Sequence, residues 1–168
     1  MSTRSWGIAL SLLLSLSPAA ARCAPRELAA GAAAPRFALE GVPARSVLDS
    51  LRGRVVLVDF WASWCGPCRQ SFPWMADLQK RLGARGLAVV AINLDKSREA
   101  ADAFLARYPA PFAIAFDPGG ATAEAYGVRA MPTSFLLDRG GRVLRVHSGF
   151  DTRTAADFAR TIEEACDQ

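Results

Sequence analysis

The apolar positions of this chain fall into two kinds of run. Residues 55–61, VVLVDFW, are apolar on both alternating faces except at Asp59, the pattern of a central strand covered on both sides. Residues 87–95, LAVVAINLD, are a second run of that kind. Between them, over residues 66–82, Phe72, Met75, Leu78 and Leu82 recur three or four apart and predict an amphipathic helix, which Pro73 is expected to kink. The stretch SREAADAFLARY predicts another helix, with Ser97 as cap, Glu99 and Asp102 in its first turns, and Pro109 and Pro111 beyond its end. A short apolar piece at 112–116 is followed by DPGGATAEAYGV, read as a turn and a small helix. PTSFLLDRGGRVLRVHSG reads as strand, Gly140–Gly141 turn and strand, and TRTAADFARTIEEA as a closing helix with Phe158 and Ile162 on one face. Strands alternating with helices and ending in a hairpin predict an α/β sandwich with a mixed central sheet.

Upstream the pattern is weaker. FALEGVPARSVLDSLRG, residues 37–53, holds two strand-like pieces separated by Gly41 and Pro43, which predicts an N-terminal β-hairpin leading to a short turn of helix. Residues 22–36 are rich in Ala and Pro without a period and read as a flexible lead-in. In residues 1–21, Arg4 precedes WGIALSLLLSLSPAAA, the layout of a secretory signal peptide with cleavage expected after Ala21. The apolar part is short for a membrane span, although an uncleaved signal would act as an N-terminal anchor. Arg22 speaks against lipidation of Cys23. The expected organisation is therefore a signal peptide over 1–21, a lead-in over 22–36 and one domain over 37–168.

Composition narrows the function classes. The chain carries 20 basic and 16 acidic residues, and without residues 1–21, which hold one Arg and no acid, the balance is 19 minus 16, or +3. The arginines are scattered among acids without a patch, so nucleic acid is not an expected partner. Four cysteines in an exported chain imply an oxidising compartment, where thiols must be paired, protected or actively reduced.

Cys65 and Cys68, in WCGPC, stand where the first apolar strand ends. A zinc site needs four ligands, and His147, Cys23 and Cys166 form no second closely spaced pair, so no metal is expected. A disulfide across two residues closes too small a loop to restrict the unfolded chain much, so stability is a poor reason for it. Reversible redox chemistry remains. A Cys at a helix start meets unpaired backbone N–H groups and the positive end of the helix dipole, which favours thiolate. Lowering a thiol pKa from about 8.5 to about 7 takes roughly 2 kcal/mol, much of which the helix end supplies. On this reading Cys65 is the exposed nucleophile and Cys68, one turn in, the less accessible resolving thiol. Pro67 suits the first helical turn, where an N–H is not needed.

VLVDFWASWCGPC resembles the active-site strand and turn of thioredoxins. Pro73 matches the family's helix-kinking proline, and GVRAMPT the loop whose proline is cis and faces the cysteines. The stretch leading into the first strand, the Asn-Leu-Asp after the second, and FLLDRGGRVLRVHSG are similar to the exported TlpA/ResA-like branch, from about residue 37 to the C-terminus. The resemblance implies a thioredoxin-like fold with helices on both faces of the sheet. It makes Asp59, which could otherwise be a satisfied core carboxylate, the proton acceptor for Cys68. It also implies a substrate-binding surface of Trp64, Gly66, Pro67, Met131 and Pro132. Trp61 is read mainly as packing, and His147 as a residue at a strand end on the surface.

Three departures from the branch stand out. Ser71 occupies the position three after the second cysteine, where many members carry an acid; Asp59 stands where many carry Asn; and Ala91 replaces the lysine that neighbours the buried acid in thioredoxin. The expected activity is thiol–disulfide oxidoreduction by a monomer without cofactor, in the periplasm or another extracytoplasmic space. It would reduce disulfides of client proteins, those of cytochrome c or copper-site assembly among them, and receive electrons from a membrane donor of the DsbD or CcdA type. A disulfide oxidant or isomerase, and a binding or metallochaperone module without turnover, are the alternatives. Cys23 and Cys166 could pair with each other, stay free or link chains.

Overall fold

The computed structural model of the protein describes residues 28–42 and 47–168. The expected signal peptide, Cys23 and the first part of the lead-in lie outside these residues. Five strands form one mixed sheet: β1 (Val55–Trp61), β2 (Leu87–Asn93), β3 (Ala113–Phe116), β4 (Thr133–Leu137) and β5 (Val143–Ser148), in spatial order β3-β2-β1-β4-β5. β1 runs parallel to β2 and β2 to β3, whereas β4 is antiparallel to β1 and β5 to β4. Among the described residues five α-helices accompany them: α1 (Val47–Ser50), α2 (Cys68–Leu82), α3 (Arg98–Arg107), α4 (Ala121–Ala125) and α5 (Thr152–Asp167).

Every residue of β1 and β2 is buried, as apolar runs covered on both faces require. Alternate residues divide between two cores. Val55, Leu57 and Trp61 join Phe72, Met75, Leu78 and Leu82 of α2, Phe104 of α3, and Phe158 and Ile162 of α5. Val56, Val58 and Phe60 face the other way, with Phe37, Val47 of α1, Ala123 of α4, Tyr126 and Phe135. By the same alternation Asp59 points into the first core, the one under α2. The helices carry the caps their sequences offer. Ser97 accepts from the amide of Ala100, and Asp151 from those of Arg153 and Thr154. Pro73 lies inside α2, as the sequence placed it.

The segment before β1 departs from expectation. Residues 37–53 form no β-hairpin among the described residues. The first strand-like piece pairs elsewhere, through a single bridge between Glu40 and Phe116 at the end of β3. Gly41 then turns the chain at φ 92°, a left-handed conformation, where a Cβ would run into the carbonyl oxygen of Ile114. The short turn of helix expected before β1 is present as α1, where the Ser50 hydroxyl donates to the Val47 carbonyl at 2.7 Å. Over residues 28–36 the lead-in is tied down where a flexible one was expected. Gly31 N–H donates to Val143 O at 2.7 Å, Ala34 N–H to Gly141 O at 3.0 Å, and the Tyr126 hydroxyl to Pro35 O at 2.9 Å. These partners belong to the β4–β5 hairpin and the buried Tyr126, which no local pattern in an Ala- and Pro-rich stretch reveals.

Candidate active site

β1 delivers the chain to the sheet's upper edge at Trp61, and seven residues later α2 begins at Cys68. Two sets of hydrogen bonds hold the turn between them. The Cys65 amide donates to Ala62 O at 3.1 Å, and Ser63 donates both its amide and its hydroxyl to the Asp95 carboxylate, each at 2.9 Å. Asp95 follows β2 and is itself fixed by Asn93, whose side-chain amide donates to it at 2.7 Å. Pro67 sits at the helix cap with φ −63°, and α2 starts at Cys68. Cys65 and Cys68 are joined in a disulfide, and the Cys68 amide, a free donor of the first helical turn, points at the Cys65 sulfur at 3.2 Å. That donor and the helix dipole both favour negative charge on Cys65 once the disulfide is opened.

The expected exposure of Cys65 is not found in this disulfide state. Cys65 is 4% exposed and Cys68 fully buried, while Trp64 beside them is 67% exposed and Gly66 and Pro67 lie open at the surface. The disulfide draws Cys65 against the helix start and into the core cluster that also holds Cys68, Trp61 and Phe72. The order of accessibility, Cys65 above Cys68, is kept. Trp61 is fully buried against Phe72 and Phe104, with ring centroids 4.7 Å apart in both pairs. Ser71 is buried and its hydroxyl donates to Cys68 O at 3.2 Å, so this position brings no carboxylate to the thiols.

Across the sheet face from the turn lies the loop before β4. Its Met131–Pro132 bond is cis, and Met131, half-buried, packs against the cluster containing both cysteines. The Pro132 carbonyl accepts from Gly149 N–H at 2.8 Å and the Thr133 hydroxyl donates to Ala130 O at 2.8 Å, which fixes the loop at both ends. The structure thus brings together Cys65, Cys68, Trp64, Gly66, Pro67, Met131 and Pro132 at one end of the sheet.

Asp59 lies deeper. It is fully buried, with Ala91 opposite on β2 and Ser134 opposite on β4. The Ser134 hydroxyl donates to its Oδ1 at 2.6 Å, and Oδ2 has no partner among the described residues. Burial pushes the carboxyl up from 3.8 to about 7, with the Ser134 hydrogen bond opposing part of that rise. A carboxyl so placed can take or give a proton near neutrality. His147 is half-buried, its ring stacked on Phe158 at 4.9 Å between centroids, and so is more enclosed than a surface strand end. Burial and the nearby Arg145 push its pKa down. Among the described residues Cys166 is a free, buried thiol, and burial raises its pKa. Ser134 and Asp95 are the residues that sequence reasoning passed over. Ser134 is a polar position inside the apolar TSFLL, but only the β1–β4 register puts it against Asp59.

Comparison with known proteins agrees with this geometry. The profile of the Redoxin family matches residues 29–162. The thiol-disulfide oxidoreductase ResA of Bacillus subtilis (strain 168) is 34% identical over 125 residues, covering 74% of this chain and 70% of that protein. A crystal structure assigned as the thiol:disulfide interchange protein DsbE from Chlorobium tepidum superposes with a TM-score of 0.80 at 50% identity, covering 83% of this chain and 99% of that one. A solution structure assigned as a protein disulfide isomerase from Bacteroides thetaiotaomicron superposes with a TM-score of 0.75 at 27% identity, covering 84% and 92%.

Proposed function

The chain belongs to the Redoxin family and is a thiol–disulfide oxidoreductase, and from that premise we propose that it is an exported reductant of disulfides in client proteins. The observation that carries this reading is the Cys65–Cys68 pair at the start of α2, with the Cys68 amide aimed at the Cys65 sulfur and a buried carboxyl, Asp59, beneath the same helix.

In the reduced protein Cys65, as thiolate, attacks one sulfur of a substrate disulfide. The substrate S–S bond breaks, the departing sulfur leaves as thiolate and is protonated by water, and Cys65 becomes covalently linked to the other sulfur. Cys68 then gives its proton to Asp59 and attacks Cys65. The mixed disulfide breaks, the second substrate thiol leaves, and the Cys65–Cys68 disulfide closes. Two electrons have passed from the cysteine pair to the substrate. An extended substrate segment lies along the Met131–Pro132 loop, with Trp64, Gly66 and Pro67 as the exposed rim that it covers.

Export rests on residues 1–21, and the same segment, if retained, is the N-terminal anchor; among the described residues no helix is long and apolar enough to cross a membrane. The folded unit takes in residues 31–35 of the lead-in, which join the β4–β5 hairpin and Tyr126. In an oxidising space the enzyme needs electrons, and a membrane donor of the DsbD or CcdA type fits that need. Proteins receiving cytochrome c or copper-site assembly steps are fitting clients, because their cysteines must be reduced before cofactor or metal is attached.

Equilibration with glutathione tests the direction. Reductants of this fold lie near −270 mV and a strong oxidant near −120 mV, a gap of roughly 7 kcal/mol for two electrons. The expected value is more negative than about −230 mV. A value above about −180 mV, the isomerase range, overturns the reductant assignment. Failure to reduce insulin disulfides with a thiol donor present marks a binding module without turnover.

A further inference from the structure

Pro67, Gln70 and Trp74 follow one another three and four residues apart, so the exposed rim of the cysteine turn continues along one side of α2. Phe150 meets this strip, its ring 5.6 Å from that of Trp74 between centroids. It follows Gly149, whose N–H donates to Pro132 O at 2.8 Å, which ties this wall to the cis-proline loop. Gln70, Trp74, Phe150, Thr152, Ala155 and Ala156 line a cavity of about 320 Å³ between the first turns of α2 and α5. Gln70, Thr152 and Ala156 are exposed, so the cavity opens to solvent. Core packing accounts for Trp74 against Phe158, at 6.1 Å between centroids. It does not account for two large rings, Trp74 and Phe150, left half-buried around a hollow that adjoins the reactive pair.

We propose that this cavity is a specificity pocket for a bulky apolar side chain of the client, two residues from the cysteine that Cys65 attacks. The proposal rests on the reading of Cys65 as nucleophile and of the Met131–Pro132 loop as the seat of an extended client segment. None of the six lining residues carries a charge, and two of them are aromatic, so the walls suit an apolar group. The volume lies at the bottom of the range of ligand sites, about 300–1,000 Å³, and fits a side chain delivered by a chain already held at the disulfide. A helix rises about 1.5 Å per residue, which puts Gln70 and Trp74 about 3 and 9 Å beyond Cys68 along α2. An extended client rises about 3.3 Å per residue and alternates its side chains, so the residue two places from its cysteine projects to the same side, about 6.6 Å along. That distance falls between Gln70 and Trp74, over the cavity.

The test follows reduction, by the pre-reduced full chain, of disulfide-linked dimers of short Gly- and Ser-based peptides with one cysteine each. One peptide carries Phe two residues before the cysteine, one carries Phe two residues after it, and one has Gly at both places. One Phe placement should react at least about tenfold faster than the Gly peptide, as burial of an aromatic side chain requires. Ala156→Phe, which fills the cavity from an exposed position on α5, should bring that ratio close to one. Ala156→Glu should also lower it and make a peptide with Lys in the same place the faster substrate, which a change in stability does not produce. Equal rates for the three peptides in the parent, or a Phe preference that survives in both Ala156 variants, overturns the pocket and leaves the oxidoreductase reading standing. If the parent reduces none of the dimers, the reductant reading falls and the pocket with it. Self-association of the parent in sedimentation that Ala156→Phe abolishes, without any peptide preference, gives the cavity to a second copy of the chain and likewise overturns the proposal.

Discussion

Asp95 receives both the backbone N–H and the hydroxyl of Ser63, each at 2.9 Å, across 32 residues of sequence. One carboxylate at the end of β2 therefore fixes the turn that presents Trp64 and Cys65. Asp95 is itself buried and held by Asn93 through a hydrogen bond in each direction, at 2.7 and 3.1 Å. Asp95→Ala strands these donors and is expected to cost about 3 kcal/mol in chemical denaturation of the oxidised protein. Asp95→Asn, which keeps an acceptor, should cost less. An unchanged midpoint in Asp95→Ala would mean that the turn is held by its own backbone.

The two thiols should behave unequally. Cys65 faces the Cys68 amide and is the more accessible of the pair. Cys68→Ala should accumulate covalent adducts with substrate and Cys65→Ala should not, as read by non-reducing gels and mass spectrometry. In the reduced protein, alkylation at neutral pH should label Cys65 first. Faster labelling of Cys68 would reverse the assignment.

Stability should depend on pH through Asp59. Its carboxyl is raised from 3.8 to about 7 in the fold, so between those values the folded state holds a proton that the unfolded chain gives up. The contribution is complete below the unfolded value and is lost as pH rises through the folded one. At ~1.36 kcal/mol per unit, the oxidised protein should lose up to about 4 kcal/mol between acid and neutral-to-alkaline pH. Asp59→Asn should flatten this profile and be the more stable protein at pH about 8. A parent-like slope in Asp59→Asn would place the titration in another group.

Ser134→Ala removes the one hydrogen bond that lowers the Asp59 pKa. The midpoint of the Asp59 titration, followed by carboxyl-sensitive infrared difference spectra, should move above about 7. A midpoint that stays in place or falls would show that the hydroxyl does not stabilise the carboxylate.

Residues 55–95 made much of this legible without coordinates. Apolar runs long enough for strands, a three-and-four spacing between them and a Cys pair at their junction specify a buried strand, a helix and a thiol at the helix start, because each depends on neighbours close in sequence. The same locality let Ser97 be read as a cap, and it misled before β1, where residues 37–40 and 28–36 take their partners from β3, the β4–β5 hairpin and Tyr126.

By itself the sequence determined the order of elements from β1 onward, the two-faced burial of β1 and β2, the Cys65–Cys68 chemistry and the placement of a lone acid in an apolar strand. Tertiary structure decided what that acid meets. Ser134, 75 residues away, reaches Asp59 only through strand register, and the Asp95–Ser63 clamp forms only because β1 and β2 end side by side. A hydrogen bond acts over about 3 Å, and only the folded sheet brings residues so far apart in the chain within that distance.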